Sequence, residues 1–131
     1  MSKEGAVVVS PGRRVFLVDD NPAEVEPIHQ RLCALGHVTT VLHDGAQVLE
    51  AARRERPDLA ILEVLLPEVN GYQLCRELKG LERPPIVVML TARSEPEDRF
   101  WAMECGADLF LSKPVEPEVV VQQVTALLEA R

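Results

Sequence analysis

Short, continuous runs of apolar residues recur along the chain, separated by longer stretches in which apolar positions return every three or four residues. The runs are Val15–Val18, Val38–Leu42, Leu59–Leu62, Ile86–Leu90 and Leu109–Leu111. Several are apolar throughout rather than alternating, the pattern of strands covered on both faces and therefore of a parallel sheet. The intervening stretches predict helices. Val25, Ile28, Leu32 and Leu35 share one helical face, and Gly36 stops that helix. A second helix over Ala46–Arg54 closes before Pro57, a third over Tyr72–Lys79 ends at Gly80, and a fourth over Glu97–Cys105 ends at Gly106. The fifth opens at Pro117, where a missing N–H costs little, and runs to Ala130. Pro27 would remove an interior hydrogen bond from a helix starting at Pro22, so a start nearer Glu24 or a kink is predicted. In the fourth helix Phe100 and Met103, spaced i, i+3, are predicted to face the core and leave Trp101 nearer solvent. Five strands alternating with five helices predict an α/β, doubly wound (βα)₅ parallel five-stranded fold with helices on both faces.

Composition narrows the class. Residues 1–12 read as a flexible arm ending in a Pro-Gly turn, and residues 13–131 as one domain, since 131 residues suit a single core. Hydrophobic residues at 47% and charged residues at 27% exclude a disordered tail. The net charge of −7, with a pI near 5.0, repels a phosphate backbone, so direct nucleic-acid binding by this domain is not expected. Ala6–Val9 is too short for a signal-peptide core, and no run approaches the ~20 apolar residues that span a bilayer, so a soluble, cytoplasmic chain without a membrane partner is expected. Cys33, Cys75 and Cys105 form no CxxC pair and leave one over, which suits a reducing compartment and argues against a disulfide framework or a zinc site. His29, His37 and His43 share no metal-ligand spacing and read as surface or turn residues.

In an open parallel sheet, ligands bind beyond the carboxyl ends of the strands. The first strand delivers Asp19-Asp20 there, the third Glu63, the fourth Thr91-Ala92 and the fifth Lys113-Pro114. Acidic oxygens suit Mg²⁺, while a hydroxyl and an ammonium suit phosphoryl oxygens. Each residue alone has an ordinary reading. Asp19-Asp20 also serves as a favourable acidic turn at a helix N-terminus, Thr91 as a turn cap, and Lys113 as the counter-charge of Glu63 or Asp19. Like charges at Asp19, Asp20 and Glu63 would disfavour one another unless neutralised, so Lys113 is predicted within ion-pair distance of Glu63.

With these stretches in view, residues 14–130 resemble a receiver domain of the two-component response regulators, of the chemotaxis-regulator type. The stretches that carry the resemblance are Val15 to Asn21, Pro57 to Leu62, Leu66-Pro67 through Asn70-Gly71, Leu90-Thr91-Ala92, and Gly106 to Pro114. The resemblance implies a flavodoxin-like sheet of order 2-1-3-4-5, signal transduction rather than enzymatic turnover, and Mg²⁺ held by Asp19, Asp20, residue 63 and the Leu65 carbonyl. It gives Thr91 and Lys113 as the phosphoryl contacts, a cis peptide before Pro114, and Phe110 as the aromatic switch whose ring turns inward on activation. It further implies a protein partner (a histidine kinase, an effector domain or a second copy) on the face of the fourth helix, fifth strand and fifth helix, where Trp101 and Val119 stand outside the apolar stripes.

One position departs from the family pattern: Glu63 stands where the phosphate-accepting aspartate is expected, longer by one C–C bond, roughly 1.5 Å. The domain therefore reads as a pseudo-receiver that is not phosphorylated in the usual way and acts through protein–protein interaction. The alternatives are a response regulator still phosphorylated at Glu63 and a Mg²⁺-dependent phosphatase. The second needs an Asp nucleophile with another acid two residues on, which Asp19-Asp20-Asn21-Pro22 lacks. A flavin or nucleotide binder would need a Gly-rich loop after the first strand, absent here.

Overall fold

The computed structural model describes residues 12–93 and 95–131; the arm expected over residues 1–12 lies, apart from Gly12, outside them. In chain order the elements are β1 (Arg14–Val18), α1 (Pro22–Ala34), β2 (Val38–Leu42), a 3₁₀ turn (Gly45–Gln47), α2 (Val48–Glu55), β3 (Leu59–Leu62), β4 (Leu65–Leu66), β5 (Val69–Asn70), α3 (Gly71–Lys79), β6 (Ile86–Thr91), α4 (Pro96–Glu104), β7 (Leu109–Ser112) and α5 (Pro117–Ala130). The main sheet has the order β2-β1-β3-β6-β7 with every pair parallel, so the doubly wound fold read from the sequence is the one observed.

Strand alternation divides the core in two. Phe16, Val18, Ala60, Leu62, Val87, Met89 and Phe110 point to one side and pack on α2, α3 and α4. Val15, Leu17, Ile61, Val88 and Leu90 point to the other, against α1 and α5. Both faces are dry, which is why the central strands are apolar at every position.

Three local expectations are corrected. Helix α1 starts at Pro22 rather than near Glu24, with Pro27 inside it. Asn21 caps it by accepting the Ala23 N–H at 3.1 Å, and Pro22 needs no N–H at the first position. The buried row Val25, Ile28 and Leu32 then holds a helix that lacks one interior hydrogen bond. Leu35 is not on that row: it is the C-cap and 55% exposed. Nor do Phe100 and Met103 face the core; both are exposed, as Trp101 is. The inward residues of α4 are Asp98 and Ala102, an i, i+4 pair that lets the helix lie close to α3. A polar residue occupies an inward position that periodicity assigns to a large apolar one.

The β4–β5 hairpin, which the apolar pattern did not predict, turns the chain immediately after β3. Gly71 then donates its N–H to the Val64 carbonyl at 3.0 Å. A Cβ at residue 71 would sit 2.5 Å from the Glu63 carbonyl oxygen and 2.6 Å from Val64 Cα, so only glycine lets α3 begin flush against the segment that carries Glu63.

Candidate functional site

The parallel ladder continues one residue beyond the strand ends. Asp19 donates its N–H to Leu42 O, Glu63 to Val18 O and Lys113 to Thr91 O, at 3.1, 3.0 and 2.9 Å. Asp19, Glu63, Thr91 and Lys113, from four strand ends, are therefore aligned along one rim by backbone geometry alone. The peptide between Lys113 and Pro114 is cis, as the resemblance implied.

The Lys113 ammonium sits at the centre. Its Nζ donates to Glu24 Oε1 at 2.6 Å, Glu63 Oε1 at 2.7 Å and Asp19 Oδ2 at 2.9 Å, so all three N–H bonds are satisfied. The remaining oxygens are also engaged: Glu63 Oε2 accepts the Leu65 N–H at 3.1 Å, and Asp19 Oδ1 accepts the Asn21 N–H at 3.0 Å. Glu24, in the first turn of α1, was not among the residues singled out from the sequence. Its only signal there was an acid in the turn after Asn21, which a helix N-terminus favours anyway.

Burial and pairing compete at each group. Burial pushes the Glu63 carboxyl up, but the Lys113 ammonium, the Thr91 hydroxyl and the Leu65 N–H together hold it below the usual range. At Asp19 burial wins against Lys113 and Asn21, and its carboxyl is raised. Burial alone would draw the Lys113 ammonium down; hydrogen bonds to Glu24, Glu63 and Asp19 hold it well above the ordinary lysine range. Glu63 and Lys113 thus face each other as a charged pair at neutral pH.

Other residues read from the sequence fall around this centre or away from it. Thr91 is buried, and its Oγ1 accepts the Arg93 N–H at 3.2 Å. The Phe110 ring is inside the domain, 3% exposed, with the Arg99 guanidinium 4.9 Å from its centroid. Asp20 is exposed and outside the ion-pair cluster, and Leu65 turns its N–H toward Glu63. Trp101 and Val119 take no part in the ion-pair cluster; they lie on α4 and α5 and are 51% and 38% exposed.

Among the described residues no group of three or more His, Cys, Asp or Glu side chains is arranged to hold a metal ion. The Asp19 and Glu63 oxygens that would serve a divalent cation are held by Lys113 and by backbone N–H groups. As arranged, the residues do not fit Mg²⁺.

A second network ties α4 to this rim. Asp98 Oδ1 accepts the Tyr72 hydroxyl at 2.9 Å and Arg93 Nε at 3.0 Å, while Oδ2 accepts the Glu95 N–H at 3.0 Å to close a capping box. Because Arg93 also bonds Thr91, the chain of contacts runs from the rim to α3. Burial and the Asp98 charge push the Tyr72 phenol up to about 12. Tyr72 is the single tyrosine of the chain, so ultraviolet titration of phenolate reads it alone. The Asp98→Asn variant is expected to titrate nearer the ordinary value of about 10; an unmoved midpoint would show that Asp98 does not hold the phenol.

Comparison with known proteins decides the family. Residues 15–125 match the response regulator receiver domain family. The chain belongs to it. This receiver domain is 40% identical over 116 residues to the DNA-binding response regulator MtrA of Mycolicibacterium smegmatis, covering 88% of this chain and 50% of MtrA. It is also 40% identical over 114 residues to the transcriptional regulatory protein CreB of Escherichia coli, covering 87% and 50%. The chain spans about half the length of these curated relatives. Among solved structures, a response regulator from Chloroflexus aurantiacus superposes with a TM-score of 0.83 at 30% identity, covering 92% of this chain and 99% of that one. The receiver domain of the sensor histidine kinase PA1611 from Pseudomonas aeruginosa, described with magnesium in its active-site cleft, superposes with a TM-score of 0.80 at 28% identity, covering 90% and 98%. The strand order that the resemblance implied and the two-component receiver assignment therefore hold.

Proposed function

We propose that this receiver domain signals without the usual phosphotransfer: Glu63 stands at the phosphoacceptor position, and its permanent carboxylate takes the part of the phosphoryl group. The observation that carries this reading is the Glu63–Lys113 pair at 2.7 Å, with Phe110 already inside. A carboxylate carries −1 against roughly −1.5 to −2 for a phosphoryl group, so it imitates part of the signal only. Mg²⁺, which the Pseudomonas relative holds, has no role in this resting arrangement. In this reading the domain has no turnover of its own and works in the cytoplasm. Among the described residues no helix is long and apolar enough to cross a membrane.

Output in this reading is protein contact, not nucleic-acid contact, with Trp101 on α4 and Val119 on α5 as the contact residues. Phe100 meets Trp101 edge-on with ring centroids 5.4 Å apart, and Met103 is exposed on the same helix. Aromatic side chains half in water are the usual anchors of an interface. The partner class is a second copy of this domain. Sedimentation of the wild type against Trp101→Ala and Val119→Glu checks this: both variants are expected to shift the domain toward monomer. Unchanged assembly in both would refute this surface. Glu63→Gln, which keeps size and removes charge, is expected to weaken the same association, and an unaltered association would separate the carboxylate from the output.

A further inference from the structure

Two of the three cysteines are brought together by the fold although 30 residues separate them. Cys75, on the inner face of α3, is fully buried, and its Sγ lies 3.5 Å from the backbone carbonyl oxygen of Cys105, the C-cap of α4. Cys105 is 6% exposed and forms part of the wall of an open cleft of about 510 Å³ between α3 and α4, with Tyr72, Arg76 and Trp101. Arg76, the residue after Cys75, directs its guanidinium Nη2 to Cys105 Sγ at 3.6 Å. One sulfur thus has a cation beside it and a route to solvent, and the other lies against the backbone carbonyl of the same residue.

We propose that Cys105 and Cys75 are a peroxide-responsive thiol pair, in which Cys105 is oxidised first and Cys75 resolves it to an intramolecular disulfide tying the end of α4 to α3. The attacking species is the Cys105 thiolate, with the Arg76 guanidinium beside its sulfur. Its sulfur attacks one oxygen of hydrogen peroxide, the S–O bond forms and the O–O bond breaks. The departing hydroxide takes up the proton that was released when the thiol ionised and leaves as water, so Cys105 becomes a sulfenic acid and the peroxide is reduced. The Cys75 sulfur then attacks Cys105 Sγ; the S–S bond forms, the S–O bond breaks, and the leaving hydroxide takes the Cys75 proton as a second water. Cys75 is 0% exposed, which keeps it from meeting peroxide ahead of its partner. Cytosolic disulfides of this kind are transient and redox-sensing rather than structural, consistent with the absence of a disulfide framework in the sequence. The pair is separate from the Glu63 rim, and the inference does not depend on how Glu63 behaves.

The test uses the full chain with Cys33→Ser, because Cys33 is exposed and would couple molecules to one another. Folded protein is treated with hydrogen peroxide, alkylated under denaturing conditions, and analysed by intact and peptide mass. The expected product has lost two hydrogen atoms, resists alkylation at both cysteines, and yields the linked peptides of residues 75 and 105. Adding Cys75→Ser should stop the reaction at a dimedone-trappable sulfenic acid on Cys105. With Cys105→Ser, Cys75 should remain a free thiol. Arg76→Gln, exposed and outside the core, should slow oxidation several-fold without a change in circular dichroism. Two cysteines that remain fully alkylatable, or a Cys75 that oxidises as readily without Cys105, would overturn the proposal.

Discussion

Incubated with acetyl phosphate and Mg²⁺, the wild-type domain is expected to gain no stable phosphoryl group, whereas Glu63→Asp is expected to gain one. The argument is positional. Glu63 carries its carboxylate about 1.5 Å further out than an aspartate would, and a misplacement near 1 Å costs about 10²-fold in a step that depends on alignment. One Glu63 oxygen is already bonded to Lys113 and the other to the Leu65 N–H, so neither is free to attack. The shorter side chain withdraws the carboxylate while Asp19, Asp20, Thr91 and Lys113 all remain. Intact mass at neutral pH, with hydroxylamine to release an acyl phosphate, reads the result. Efficient labelling of the wild type at Glu63 would falsify the silent-acceptor reading. An inert Glu63→Asp would mean that more than one residue has been lost, leaving the domain as a binding scaffold.

The second large effect is on stability. Lys113→Met is expected to cost about 3 kcal/mol, the lower end of the range for breaking a buried ion pair, because it leaves the carboxylates of Asp19 and Glu63 without their counter-charge. Those acids can relieve part of the cost by taking up protons, and Glu24 by turning to solvent, which is why the lower end applies. The same lysine sets the alkaline limb. Its ammonium is held above the ordinary lysine range in the folded state. As pH rises through that ordinary range the unfolded chain loses its proton first, and stability falls. The contribution is complete below about pH 10. Glu63 acts in the opposite direction on the acid side: its folded carboxyl is held low, so its contribution is present at neutral pH and lost as pH falls through the carboxylate range. Denaturant melts across pH check both limbs. Lys113→Met should flatten the alkaline one, and an unchanged slope there would remove Lys113 from the account.

The sheet was legible because its central strands are buried on both faces, so Val15–Val18, Leu59–Leu62 and Ile86–Leu90 read as unbroken apolar runs. The strand-end residues were legible for the same reason, since the end of each run fixes which residue reaches the rim. Glu24 was not: it reaches Lys113 from a helix, and no local pattern distinguishes it from an ordinary helix-start acid. The orientation of α4 was misread because its packing uses Ala102 and the hydrogen-bonded Asp98 rather than its largest apolar groups. Periodicity weighs hydrophobicity, and the network around Asp98 depends instead on Tyr72 and Arg93, distant or polar residues that such a count passes over.

The saturation of Lys113 has a consequence for anything that approaches the rim. An ammonium has three hydrogens, and here each already points at an oxygen belonging to a different segment: the start of α1, the end of β1 and the end of β3. A fourth acceptor must therefore evict one of the three. Glu24, with a side chain 45% exposed against 11% for Asp19 and 8% for Glu63, has water to replace its lost partner and is the first to leave. Arrival of an anion at the rim is thereby coupled to the release of the Glu24 carboxylate into solvent. The anion and the Glu24 carboxylate exclude one another at a single nitrogen atom.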